Sequence, residues 1–184
     1  SIDMPSFELY ADNPVLGALY TRRSIRFFNS EPVDRQAVEA VLEAGRWAPS
    51  ALNRQPCRFV VIGANDPRKH RLAAQTIDSD IVKGCQVLLG VLLERKFMKD
   101  VRKDYQSAGA CLQNMLLACH GLGLGAVWLG EILNQEKEVL HVLGRSPEDY
   151  ELMGFVAVGH PAEEGHSLRN DLSRYLLEPL PKVL

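Results

Sequence analysis

The stretch Thr21-Arg22-Arg23-Ser24-Ile25-Arg26 brings three guanidinium groups, those of Arg22, Arg23 and Arg26, together with the hydroxyl of Ser24. A guanidinium is a rigid fork of donors that stays charged at any physiological pH, so such a cluster can converge on one dianionic phosphate. A second explanation fits the same residues. Asn13-Pro14 reads as an N-cap and first helical position, with Val15, Leu16 and Leu19 following at helical spacing. Arginines after such a helix complement its dipole. The stretch alone leaves both explanations open.

A second group of chemistry-bearing side chains lies in Ala48-Pro49-Ser50-Ala51-Leu52-Asn53-Arg54-Gln55-Pro56. Its two prolines fix a loop, and Ser50, Asn53 and Gln55 carry the donors and acceptors that orient a heterocycle, although such loops also serve as plain connections. A third stretch, Gly121 to Glu131, is glycine-rich, but its spacing excludes two familiar motifs. A dinucleotide loop beginning at Gly121 and Gly123 needs glycine where Ala126 stands, and it must follow a strand, whereas this one follows a helix. A phosphate loop fails as well, because Glu131-Ile132 stands in place of Lys-Ser/Thr. What remains is a turn into a short apolar strand whose Gly130 lets backbone come close to a flat ligand. His120, His141 and His160 read as structural, and no side chain is assigned as a catalytic acid or base. Cys57, Cys85, Cys111 and Cys119 form no CxxC pair, and Cys119-His120 with Cys111 matches no zinc spacing, so no metal is expected.

These groups need elements to position them. With 184 residues, 46% hydrophobic and 24% charged, the chain reads as one folded domain, residues 1–184. A net charge of −2 with interspersed signs argues against a nucleic-acid partner. The longest apolar run, Val87 to Leu93, is too short to cross a bilayer as a helix. No leader pattern opens the sequence, and the cysteines read as reduced, so the expected setting is intracellular and cytoplasmic. Helices are expected after Asn13, after Asp34 (Val38, Val41, Leu42, stopping before Pro49) and from Asp66-Pro67 through Leu72. Ser107 to His120 carries the stripe Ala108, Cys111, Leu112, Met115, Leu116 and Cys119 of a long buried helix, and Asn134 is read as the cap of another that Gly144 closes. Strands are expected at Arg58–Gly63, at Val87–Leu93 with both faces covered, before Gly130, and at Tyr150–Val158. The final Leu176 to Pro181 is apolar and broken by prolines, and needs a surface to lie on.

In this order the blocks resemble the FMN-dependent nitroreductase family. The resemblance runs through Arg22-Arg23-Ser24-Ile25-Arg26-Phe27, Ala48 to Pro56, Gln113 to Ala118 with Gly121 to Trp128, and Gly154-Phe155-Val156-Ala157-Val158-Gly159-His160-Pro161. It implies an α+β fold, a central sheet flanked by helices, in an intertwined homodimer with one FMN in each of two interface sites. By position, Arg22, Arg23, Ser24 and Arg26 would hold the FMN phosphate and ribityl chain, with Arg169 as a last phosphate ligand. Pro49, Ser50, Ala51 and Asn53 would come from the other subunit. Trp128, Leu129, Gly130 and Glu131 would line the isoalloxazine ring, a backbone amide near Gly130 or Glu131 facing the reactive nitrogen. The implied activity moves electrons from NADH or NADPH to nitroaromatics, quinones or related small acceptors. Another flavin reaction on the same scaffold, or a non-enzymatic flavin-binding module, is the alternative. Two departures stand out: Cys57 replaces the tryptophan common after Gln-Pro, and Ser107 replaces an aspartate that often begins the long helix. The short stretch between Leu93 and Ser107 implies a small lid.

Overall fold

The computed structural model describes residues 12–184. Strand β1 spans Cys57–Gly63, β2 Val87–Glu94, β3 Gly125–Leu129 and β4 Tyr150–Gly159. Among the described residues they form one sheet in the order β1-β2-β4-β3, antiparallel at every pairing. Each residue from Val87 to Leu93 is buried, which is why β2 reads as a continuous apolar run instead of an alternating one.

Helices cover both faces. On one side lie α2 (Arg35–Arg46) and α5 (Val101–Gly121), around a core that includes Val41, Leu89, Val91, Leu112, Met115 and Val156. On the other lie α3 (Pro67–Ala73), α4 (Ser79–Gly84) and α6 (Glu136–Leu143), packed on Ile62, Leu88, Val127, Leu140 and Phe155. A further helix, α1 (Pro14–Thr21), buries no residue. The β2–β4 register slips between Val91 and Leu92, whose partners Gly154 and Leu152 leave Met153 as the extra residue of a bulge.

Two helix starts differ from the sequence expectation. The long helix begins at Val101, ahead of Ser107, and Asp100 caps it by accepting from the Lys103 amide at 3.0 Å. Its first turns carry charged side chains, so apolar spacing does not reveal them; buried Asp104 instead accepts the Lys99 and Asp100 amides, each at 3.0 Å. Asn134 does not cap a helix: it lies inside a 3-10 turn, Glu131–Gln135, that runs into α6. Gly144 closes α6 as expected, at φ +68°.

Beyond β4 the chain has no helix or strand apart from one short 3-10 turn, Leu172–Arg174. Leu168, Tyr175, Leu177, Leu180 and Leu184 of this tail are exposed, so much of the apolar tail is left uncovered among the described residues.

Candidate functional site

The arginine cluster begins where α1 ends. Asn13 accepts from the Val15 and Leu16 amides at 3.0 Å, Pro14 opens the helix, and Arg22 is its C-cap, its amide bonded to the Ala18 carbonyl at 3.0 Å. From there the chain extends along the open edge of β3, with Ser24 bridging Ala126 and the Ile25 amide donating to the Ala126 carbonyl at 3.0 Å. Extended backbone alternates its side chains, so Ile25 goes inward and Arg26 outward to solvent. The segment after β4 closes over the other side. Its Ala162 amide donates to the Phe27 carbonyl at 2.9 Å, and Gly165 packs so tightly on Arg23 that an added Cβ would lie 2.3 Å from the arginine Cβ.

These contacts set the electrostatics. Arg23 donates through Nη1 to the Tyr20 and Arg22 carbonyls, both at 2.9 Å. Burial, then the charges of Arg169 and Arg23, pull the Arg22 guanidinium below its usual pKa. Arg169, from the distant tail, is therefore part of this cluster; its own Nη1 donates to Ser167 Oγ and to the Leu168 carbonyl. Arg26 stands apart and makes no hydrogen bond or ion pair among the described residues. A cavity of about 360 Å³ opens here, lined by Arg22, Arg23, His120, Ala126, Glu163 and Glu164 among others. A dianion placed beside Arg22 would relieve the repulsion among the three guanidiniums, so the cluster fits a phosphate.

The other end of β3 presents an aromatic and open backbone. Trp128 is 42% exposed and reaches toward Gly109 of α5, whose added Cβ would lie 3.8 Å from the indole. Gly154 holds φ +152°, and a Cβ there would press within 3.0 Å of the indole nitrogen. Leu129 is 3% exposed and belongs to the core, so any ligand would meet only its backbone. Gly130 is exposed and leads the 3-10 turn. The Glu131 carboxylate turns aside to the loop after α3, accepting from the Thr76 hydroxyl at 2.5 Å and the Ile77 amide at 3.0 Å. From Ala126 to Gly130 the strand runs about 13 Å, so a cationic end and an aromatic end face one open edge.

The Pro49–Asn53 loop is a strained structure. Leu52, Asn53 and Gln55 hold φ of +55°, +54° and +55°. Left-handed backbone costs a leucine about 1–2 kcal/mol, and such conformations persist where surrounding bonds impose them. Here Ser107 Oγ donates to the Pro49 carbonyl at 2.7 Å, the Gln55 amide to Ser50 Oγ at 3.0 Å, and Arg54 Nε to the Phe97 carbonyl at 3.1 Å. Ser50 and Ala51 are half-buried, and Pro49 and Asn53 exposed. Ser107 and Gly109 lie about 200° apart around α5 at 3.6 residues per turn. The loop and Trp128 therefore flank opposite sides of that helix. His120, beside the arginines, lies about 20 Å along the same axis from Ser107. Within one chain the arginine cluster and β3 form one line, and the loop stands away from it.

Several positioning contacts escape sequence patterns. Ser107, Thr76 and the Thr21–His120 pair are lone polar residues whose partners are distant in sequence. Among the described residues no group of three His, Cys, Asp or Glu side chains could hold a metal, and no helix is long and apolar enough to cross a membrane.

Known proteins share this fold. The sequence matches the Nitroreductase family profile over residues 19–79 and 64–160. A protein of Archaeoglobus fulgidus described as an NADH dehydrogenase/NAD(P)H nitroreductase is 32% identical over 151 residues, covering 81% of this chain and 86% of that one. The NAD(P)H FMN reductase of Bacillus subtilis is 26% identical over 169 residues, covering 82% and 67%. A crystal structure from Desulfovibrio desulfuricans, described as a nitroreductase in complex with FMN, superposes with a TM-score of 0.90 at 52% identity, covering 92% of this chain and 99% of that one. The matched stretches take in Arg22, Arg23, the strained loop and β3, and profile, relatives and fold together show that the chain belongs to the nitroreductase family.

Proposed function

We propose that the protein is an FMN-dependent oxidoreductase that takes electrons from NADH or NADPH and passes them to a small acceptor such as a nitroaromatic or a quinone. The observation that carries this reading is that Arg22 and Arg23 line one cavity at the head of the β3 edge, with the Arg169 charge acting on Arg22. FMN in the Desulfovibrio desulfuricans protein, 52% identical to this chain, and the NAD(P)H-linked names of the relatives support it. When bound, FMN supplies the redox chemistry, accepting a hydride and releasing electrons to the acceptor.

The chain's own residues bind and orient. Arg22 and Arg169 neutralise the phosphate with Ser24 as a further donor, and Arg23 braces the C-terminal end of α1 through its carbonyl contacts. Arg26, on the solvent side of the same extended segment, reaches toward the ribityl chain. Trp128 and the backbone of Leu129, Gly130 and Glu131 border the ring. Pro49, Ser50, Ala51 and Asn53 complete the pocket from the second subunit of a homodimer, because in their own chain α5 separates them from Trp128. The exposed apolar tail and the unburied α1 give that dimer an apolar surface to cover. Four unpaired cysteines suit a reducing compartment such as the cytoplasm.

The absorption spectrum of the purified protein tests this directly. It is expected to be yellow and to release FMN, with neither FAD nor riboflavin. NADH or NADPH added without oxygen bleaches the flavin, and a nitroaromatic or quinone restores the colour with ping-pong kinetics. A bleached flavin that no acceptor reoxidises would favour a non-enzymatic flavin-binding role.

A further inference from the structure

The joint between α1 and the C-terminal end of α5 has no assigned role. His120 Nε2 lies 2.8 Å from Thr21 Oγ1, and Thr21 Oγ1 donates to the Gly17 carbonyl at 2.7 Å. A hydroxyl has one proton. Since Gly17 receives it, Thr21 accepts from His120, which fixes the ring with its proton on Nε2. The bond therefore runs from α5 through Thr21 into the last turn of α1, one residue before Arg22.

α1 buries no residue, and Val15 and Leu19 are 67% and 41% exposed. The bond from His120 therefore ties the helix end that carries the C-cap, Arg22, to α5, while the Ser24–Ala126 bridge holds the chain just beyond it. Arg23 braces itself on the Tyr20 and Arg22 carbonyls, so it moves with the same turn. His120, Thr21, Arg22 and Arg23 all line one cavity. Charge-assisted contacts to phosphate depend steeply on donor placement, so a small rotation of this turn would blunt phosphate recognition.

We propose that His120 is a positioning residue: by donating to Thr21 it locks the end of α1, braced by Arg23, so that Arg22 is presented to the FMN phosphate. This rests on the phosphate reading of the cluster. It separates His120 from the flavin ring, so its effect belongs to the phosphate alone.

The test uses the full-length protein stripped of flavin and titrated with FMN and with riboflavin, following flavin fluorescence. His120→Ala is expected to weaken FMN about tenfold while leaving riboflavin within about twofold. His120→Gln, whose amide nitrogen can donate from a similar place, is expected to return FMN binding to within about twofold of wild type. Thr21→Val removes the acceptor and should match His120→Ala, which keeps the test available if the alanine variant does not fold. Equal losses for the two flavins, or no loss in either variant, would overturn the inference while wild type still prefers FMN. A wild type that binds both flavins equally would overturn the phosphate reading itself, and this inference with it.

Discussion

Arg22 is held in an environment that disfavours its own charge, since burial and then Arg169 and Arg23 all act against the guanidinium. A bound phosphate reverses the sign of that field. Arg22→Ala and Arg169→Ala are each expected to weaken FMN by roughly 10- to 100-fold, the range of hydrogen bonds to charged groups, and riboflavin far less. Their double variant should fall short of the summed losses, because removing one cation relieves the other. Titration of flavin-free protein reads both, and equal losses for FMN and riboflavin would mean that the cluster does not read phosphate. The cluster around Arg22 was visible in the sequence as plain spacing. Arg169 was not, except through the family resemblance, because it is brought to the cluster from far along the chain by the folded segment after β4. Cysteine reactivity follows from the same kind of local field. Burial pushes Cys85 up to about 11 and Cys119 up to about 12, and Cys111 rises through its contact with Cys57 and burial. The neighbouring Cys111 thiol, then the charge of Arg58, lower Cys57 against the opposing effect of burial, and Cys57 alone of the four is not fully buried. A lowered pKa means more thiolate at pH 8, and thiolate is the reactive form. Cys57 should therefore modify first with a disulfide reagent at pH 8, the other thiols following only on unfolding. Fast modification of Cys85 or Cys119 in the folded protein would contradict this.

At the scale of elements, the stripe on α5 and the apolar run of β2 announced themselves by period, since burial on one face or on two leaves a pattern that can be counted. The start of α5 and the 3-10 turn before α6 left none. Charged residues carry the first turns of α5, and a 3-10 turn bends the chain before any helical spacing accumulates. The strained loop was legible as a loop, but its three positive φ values come from bonds made by Ser107 and Arg54 to distant carbonyls. The β4 bulge is the element-scale feature most open to test. Gly154 sits at φ +152° beside Trp128, where a methyl group would be strained by backbone conformation and would crowd the indole at 3.0 Å. Gly154→Ala is expected to cost about 1–3 kcal/mol, lowering the melting temperature of a chain this size by several degrees. Riboflavin binding should weaken as well, since the displaced indole borders the ring. An unchanged melting temperature would show that the bulge accommodates a side chain.

At the scale of the whole molecule, α5 separates the two halves of the candidate site. One face carries Ser107 and the loop it anchors, while the opposite face carries Gly109 beneath Trp128. An exposed α1, an exposed apolar tail, and Phe27, Trp47 and Leu52 at the surface leave apolar area that the second copy of the proposed dimer would cover. Sequence periodicity could not reveal this arrangement, because it depends on which faces of one helix two distant segments choose. Subunit complementation tests it most directly. One variant carries Arg22→Glu with Arg169→Glu, the other bulky replacements at Ser50 and Asn53, and each homodimer should be inactive. Co-refolding equal amounts makes about half the dimers mixed under two-fold symmetry, and each mixed dimer holds one site with both lesions and one with neither. Roughly a quarter of wild-type activity should therefore return. If both segments served one flavin from the same chain, every site would keep a lesion, and no activity would return even with mixed dimers demonstrated by mass.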